Sequence, residues 1–212
     1  MVTAVHTLES RAITHLMTVM RDASTPHEAF AAHARRLMRL LAEEGIACLP
    51  HTRIEVTTPC GTFVGEKLLV ASAVCAVSIM RAGDSLVEEV RAAWPGVRVG
   101  KLLIQRDEQT AIPRLFYEKL PADIARMHVL LCDPMLATGG SAMMAIDALL
   151  KRGVRAAFII FLNVLSCPEG IARVHAAHPA VQIITCATDE RLNERKFIVP
   201  GLGDFGDRFY GG

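Results

Sequence analysis

The sequence carries almost no net charge, no long apolar run and no paired-cysteine motif, and each lack excludes a class of protein. Lys plus Arg number 23 and Asp plus Glu 22, a formal net charge of +1 over 212 residues. So even a balance argues against a dedicated binder of nucleic acid or membrane surfaces. Mean hydropathy is +0.32, high enough to raise the question of a membrane span. The most apolar run, AAFIIFL (156–162), stops at Asn163. A bilayer needs roughly 20 apolar residues, so this run predicts a buried strand instead. Glu9 and Arg11 fall where a secretion signal would be unbroken apolar sequence, and none is expected. The six cysteines (48, 60, 75, 132, 167 and 186) include no CxxC pair. Cys75, Cys132 and Cys186 sit in strand-like apolar runs, which predicts buried free thiols in a reducing cytoplasm. There is no internal repeat and no low-complexity segment. Nor is the chain poor in apolar residues, as a disordered one would be: they make up 51%, against 21% charged. A single domain of this length buries roughly 70% of its unfolded surface without a disulfide or metal staple.

What is there alternates between strand and helix signals. Thr25, Pro26 and Glu28 form a capping box with proline at the first helical position. Phe30, Ala34, Leu37 and Leu41 then recur on one helical face, with Gly45 as the expected stop. RIEVTTP (53–59) and TFVGEKLL (62–69) flank Cys60-Gly61 and predict a hairpin. From Val74 onward, continuous apolar runs predict strands buried on both faces of a parallel sheet: 74–80, 100–105, 127–132, 156–165 and 181–188. Helices are expected at 84–93, 141–152 and 168–178, with an Asp147–Lys151 pair and Gly153 as the C′ residue of the second. The fold class is α/β with a mostly parallel sheet flanked by helices.

Ligands of such sheets bind beyond the carboxyl ends of the strands. There the sequence places Arg81-Ala82-Gly83, Arg106-Asp107-Glu108, Asp133 to Ser141, Ser166-Cys167 and Asp189-Glu190. In VLLCDPMLATGGS (129–141) a strand ends in an aspartate and Thr138-Gly139-Gly140-Ser141 opens a helix. Glycines let backbone N–H groups approach a ligand, the helix N-terminus favours an anion, and the hydroxyls add donors. That chemistry suits a phosphate monoester, and Asp133 could accept hydrogen bonds from sugar hydroxyls. Two glycines alone could equally serve tight packing; the aspartate and hydroxyls tip the reading towards a ligand. No Lys follows the glycines and GxGxxG is missing, so this is neither a Walker loop nor a dinucleotide fingerprint. Arg81 and Arg106 each follow a strand, and Arg can grip phosphate oxygens with a planar fork of donors. The long connection 105–121 is charged at both ends with Pro113 in the middle, as functional loops often are. Pro200, Gly201, Gly203 and Gly206 predict that 198–207 is neither regular helix nor strand. His175 and His178 are spaced HxxH but lack a third ligand, and are read as surface residues.

The loop DPMLATGGS resembles the phosphoribosyl pyrophosphate (PRPP) loop of the phosphoribosyltransferases, in the variant of the uracil phosphoribosyltransferases, with Pro134 where the common form has a second acidic residue. FIVPGLGDFGDRFYG (197–211) resembles the uracil-binding segment of that family. MRAG (80–83), QRDEQT (105–110) and YEKLP (117–121) match further landmarks in order, and the strings RDEQTAIPRLFYEKLP and GDFGDRFYG look closer to the eukaryotic and protist branch. The match runs from about Arg21 to the C-terminus. It implies a type I phosphoribosyltransferase fold over 1–212 with a small hood or subdomain: an N-terminal arm (1–20), a mobile hood loop (105–121) and a uracil loop (197–211).

The resemblance further implies transfer of the phosphoribosyl group of PRPP to uracil, giving UMP and pyrophosphate. PRPP contacts are implied for Arg81, Arg106, Asp133, Pro134, Met135, Leu136, Ala137, Thr138, Gly139, Gly140, Ser141 and Asp204. Uracil contacts are implied for Ile198, Gly203, Asp204 and Phe205, largely through the main chain. Arg106, Asp133 and Asp204 are the residues expected to matter most for catalysis. Mg²⁺ is the implied cofactor, held through PRPP oxygens and water rather than by a cluster of protein ligands. Phe197 stands where many members have Tyr, so the hydroxyl for a side-chain hydrogen bond there is missing. Apolar content points to a homodimer or homotetramer, and GTP is a candidate effector because some members respond to it. Two alternatives stand beside this reading: transfer to another base, or a weakly active regulator that binds RNA. The second needs a basic face, and Lys151, Arg152 and Arg155 form the tight basic cluster of the sequence.

Overall fold

The computed structural model describes residues 5–69, 73–106 and 113–212. In chain order the elements are β1 (Val5–Thr7), α1 (Arg11–Arg21), α2 (His27–Ala47), β2 (His51–Thr58), β3 (Gly61–Leu68), β4 (Val74–Met80), α3 (Gly83–Ala93), β5 (Arg98–Arg106) and β6 (Pro113–Lys119). There follow β7 (His128–Cys132), β8 (Met135–Leu136), α4 (Gly140–Lys151), β9 (Ile159–Ser166), α5 (Pro168–Ala177), β10 (Gln182–Thr188), β11 (Arg191–Leu192), β12 (Ile198–Val199) and α6 (Phe205–Tyr210). The main sheet runs β1-β10-β9-β7-β4-β5-β6, with β8 also on β9. Every pairing in it is parallel except β5 with β6.

Continuous apolar strands follow from burial on both faces. Along β7, Val129 and Leu131 face one core, while Leu130 and Cys132 face the other. β9 alternates in the same way, Ile160 and Leu162 against Ile159 and Phe161. One core is closed by α1, α2, α3 and α6, the other mainly by α4 and α5. Cys75, Cys132, Cys167 and Cys186 are buried free thiols, and burial pushes Cys75 and Cys186 up to about 12. No described helix is long and apolar enough to cross a membrane.

Several local expectations are corrected. Residues 5–21 are more than an arm: β1 joins the sheet edge beside β10, and α1 is capped by Ser10, whose Oγ accepts from the Ile13 N–H at 3.2 Å. No capping box opens α2. Thr25 Oγ1 donates instead to the Val19 carbonyl at 2.7 Å, and Pro26 occupies the cap without a side-chain bond. Gly45 does not stop α2, which runs on to Ala47. It lets the helix press on β9: a Cβ there would lie 2.7 Å from Leu162 Cδ2. Asp147 pairs with His178 rather than with Lys151: its carboxylate lies 3.1 Å from Nε2 of His178. The 53–69 hairpin is present as β2–β3, a separate two-stranded sheet with Phe63 and Val64 exposed. Of the segment read as a mobile hood loop, 113–119 is the antiparallel edge strand β6, while 107–112 lies outside the described residues.

Candidate active site

The carboxyl edge of the sheet opens into a cleft of about 330 Å³. Its lining brings together Arg81 after β4, Asp133, Met135, Ala137 and Ser141 after β7, and Ile198, Gly203, Asp204 and Phe205 from the C-terminal segment. These residues are up to 124 positions apart in sequence, from Arg81 to Phe205. The parallel topology is what delivers them to one edge.

On one wall, β7 ends at Cys132 and the chain turns through Asp133 into the N-terminus of α4. Asp133 Oδ1 accepts from the Met135 N–H at 3.3 Å, which shapes the turn. Gly139 caps α4 in the left-handed region (φ +75°), where a side chain would be strained, and a Cβ would also come within 3.2 Å of the Gly170 carbonyl. The positive φ therefore belongs to Gly139; Gly140 is the first helical residue, with space around its Cα. Thr138 Oγ1 accepts from the Gly140 N–H at 3.4 Å. Behind the loop, backbone and side-chain bonds hold four of its carbonyls. Pro134 O accepts from Val164 N (2.8 Å) and Leu165 N (3.0 Å), and Leu136 O accepts from Cys167 N (3.1 Å). Ala137 O accepts from Cys167 Sγ (3.0 Å), and Thr138 O from Arg173 Nη1 (3.2 Å). Pro134 and Leu136 are buried, so they shape the loop from behind and do not line the cleft.

The opposite wall is the segment after β10. β11 and β12 pair antiparallel, closed at one end by Asn193, whose Oδ1 accepts from the N–H groups of Arg195 and Phe197 at 3.0 Å each. The segment expected to lack regular structure thus contains a two-residue strand, Ile198–Val199, and the short helix α6. Asp204 caps α6: its Oδ1 accepts from the Asp207 N–H at 2.9 Å. Phe205 is 1% exposed, with its ring 5.5 Å from Phe30 and 5.6 Å from Phe209. It packs in the core, so what it offers a ligand is backbone. Arg81 is exposed and its Nη2 donates to Asp207 Oδ1 at 2.7 Å. An exposed pair of this kind holds the guanidinium only weakly, leaving it available to a phosphate. Arg106 ends β5 on the same edge; its side chain lies outside the described residues, as do Asp107 to Thr110.

Arg195, Lys196 and Phe197 also line the cleft, and the two cations belong to none of the motifs legible in the sequence. Their signal was the left-handed backbone at Lys196 (φ +65°), a conformation rare outside glycine and common at functional sites, and not readable from sequence. Among the described residues no group of three or more His, Cys, Asp or Glu side chains could hold a metal ion. Two cations of the basic cluster are engaged elsewhere: Arg152 pairs with Glu118, and the Arg155 guanidinium lies 3.5 Å over the Phe158 ring.

An aspartate and glycine-rich turn at a helix N-terminus, facing arginines across the carboxyl edge of a mostly parallel sheet, define the class as a type I phosphoribosyltransferase. The adenine phosphoribosyl transferase of Trypanosoma brucei shares this fold, with a TM-score of 0.60 over 87% of this chain and 84% of that one, at 12% identity. The chain belongs to the uracil phosphoribosyltransferase family, whose pattern matches residues 7–212. It is 50% identical over 196 residues to the uracil phosphoribosyltransferase of Saccharomyces cerevisiae, covering 92% of this chain and 90% of that one. A solved protein of Aquifex aeolicus superimposes with a TM-score of 0.84 at 31% identity, covering 97% of both chains.

Proposed function

We infer that the protein transfers the 5-phosphoribosyl group of PRPP to N1 of uracil, giving UMP and pyrophosphate in pyrimidine salvage. Family membership carries the reaction. The observation that carries the site is the single cleft in which Asp133 and Ser141 face Ile198, Gly203 and Asp204. In the reaction the N1–C1′ bond forms, the bond from C1′ to the pyrophosphate oxygen breaks, and the N1 proton is released. The centre passes through oxocarbenium character, so positioning and charge stabilisation supply the catalysis.

In this reading the amides at the start of α4, with Thr138 and Ser141, take the 5′-phosphate, and Asp133 takes the ribose hydroxyls. Arg81 and Arg106 grip the pyrophosphate, and Arg195 and Lys196 add positive charge to the same cleft. Backbone groups at Ile198 and from Gly203 to Phe205 read the base. Water must be kept from the reacting centre, because it would otherwise capture the ribosyl cation.

Mg²⁺ fits this donor set: Asp133 and Asp204 line the cleft singly, without a cage of carboxylates among the described residues. Such a cation keeps its waters and binds through substrate oxygens. When bound it neutralises charge on the pyrophosphate. A cytoplasmic location is part of the proposal, supported by the buried free thiols. So is a homodimer or homotetramer, supported by exposed apolar residues on the hairpin (Phe63, Val64) and on β6 (Phe116, Tyr117). GTP activation is tested by titrating GTP into the assay. The reaction itself is tested by incubating the protein with PRPP, Mg²⁺ and each of uracil, cytosine, hypoxanthine and orotate. UMP from uracil, with no nucleotide from the others, is the expected result; a nucleotide from hypoxanthine or orotate instead would replace the assignment.

A further inference from the structure

We propose that Asp189, held by Arg21, is a positioning residue for base recognition, and that α1 is thereby part of the device that selects the base. The proposal rests on the reading of Ile198 to Phe205 as the base-reading segment.

Asp189 follows β10 on the ligand edge of the sheet and is 8% exposed. A buried carboxylate needs a partner charge or several donors. Asp189 has both. Arg21 grips it with a two-pronged fork, Nη2 to Oδ1 at 2.6 Å and Nη1 to Oδ2 at 2.7 Å. The Gly201 N–H donates to Oδ2 at 2.7 Å. Arg21 Nη1 also donates to the Gly201 carbonyl at 2.9 Å. Both backbone polar groups of Gly201 are therefore fixed by one ion pair.

Gly201 is the tight point of the reading segment. Its φ is +69°, and a Cβ there would lie 2.1 Å from the Ile198 carbonyl oxygen. Gly201 and Ile198 are thus in close contact, and a shift in one displaces the other. Asp189 is itself anchored to the sheet, its N–H donating to the Ser166 carbonyl at 2.9 Å. Arg21 ends α1, whose Ile13, Leu16, Met17 and Met20 are buried in the core. A second brace runs alongside. Arg208 donates to the carbonyls of Leu202 (2.8 Å) and Asp22 (2.7 Å), and to that of Met20.

Neither Asp189 nor Arg21 lines the cleft, so the pair acts through the loop and not on the substrate. A buried ion pair adds little net stability over an apolar replacement, but its directional bonds fix geometry. Here the geometry fixed is that of the backbone expected to read the pyrimidine edge.

The test is steady-state kinetics of the full chain with uracil and PRPP varied separately, on the unaltered protein, Asp189→Asn and Arg21→Lys. Asp189→Asn keeps the volume but turns one carboxylate acceptor into a donor facing Arg21 or the Gly201 N–H. The KM for uracil should rise about tenfold or more while that for PRPP stays within about twofold. Use of cytosine relative to uracil should rise with it. Arg21→Lys keeps the charge but loses the fork, and should shift the same parameter by less. Equal rises in both KM values, or a lower melting temperature with an unmoved uracil KM, would make the pair an ordinary structural brace and overturn the proposal. Failure of both variants to fold would do the same. An unaltered chain that forms no UMP overturns the underlying reading before any variant is compared; UMP formation with unmoved uracil KM values overturns the brace alone.

Discussion

The two walls of the cleft are held by different means. Asp133 to Ser141 is a strand end running into a helix start, and its carbonyls are tied to neighbours by bonds from Val164, Leu165 and Cys167. Asp189 to Phe205 is a short hairpin and turn, tied to the body by charged side chains: Arg21, 168 positions before Asp189, and Arg208, just beyond the segment, which bridges Leu202 to Asp22. The first wall inherits its shape from regular structure that would form around most ligands. The second has a shape imposed by specific side chains, which suits a wall that discriminates. Phosphate recognition needs donors at a helix N-terminus and little else. Choosing one base over another needs donors and acceptors in a fixed order, and an irregular backbone can present them.

If the first wall is set by backbone conformation, its most sensitive point is Gly139. Gly139→Val should cost roughly a hundredfold or more in kcat/KM for PRPP. The left-handed conformation strains a β-branched residue, and a displaced loop misplaces the phosphate. The same change at Gly140, where φ is not positive, should cost less. Kinetics on both variants would check the order, and a larger loss at Gly140 would make that residue the critical point of the turn. Next in size is Arg106→Ala, which removes a charge-assisted fork: on the order of 1.5–3 kcal/mol of PRPP binding, with the melting temperature unchanged. Titration of PRPP into that variant reads the loss, and unchanged affinity would take Arg106 out of the site. On the second wall Phe205→Tyr should leave base preference alone and lower stability by ~1–3 kcal/mol, because the added hydroxyl enters a core lined by Phe30 and Phe209. A denaturant midpoint reads that fall. A changed uracil preference with normal stability would put the Phe205 side chain on the substrate.

The same contrast explains what was legible in the sequence. Four of the five strands expected to be buried, β4, β7, β9 and β10, were readable because burial on both faces leaves continuous apolar runs, as were the helices after the first three; β5 is buried only at alternate residues. The first wall was readable because a strand, an aspartate and a glycine pair are local signals. Edge elements were not. β1 is three residues long, β6 alternates too weakly, and β11 and β12 are two residues each. Such short strands exist because long-range partners hold them, and no local pattern announces that. Thr25 failed as a cap for a similar reason: its hydroxyl had a better acceptor in the preceding helix, the Val19 carbonyl. Gly45, read as a stop, is a close approach of α2 to β9, which only the packed structure reveals. Arg21 and Asp189 meet across 168 positions, and the sequence alone offered nothing to join them.

Base selection by main-chain groups is decided by competition of uracil, 5-fluorouracil and cytosine for PRPP in one reaction. Cytosine presents an amino donor where uracil has an acceptor, and an acceptor where uracil has N3–H. Each mismatch leaves a buried backbone group unpaired at ~1–3 kcal/mol, so cytosine should be disfavoured roughly 10²-fold or more. The 5-position makes no pairing contact, and 5-fluorouracil should be used readily. UMP and its 5-fluoro analogue with almost no CMP is the predicted product mixture; CMP in comparable amount would contradict backbone readout by Ile198, Gly203 and Phe205.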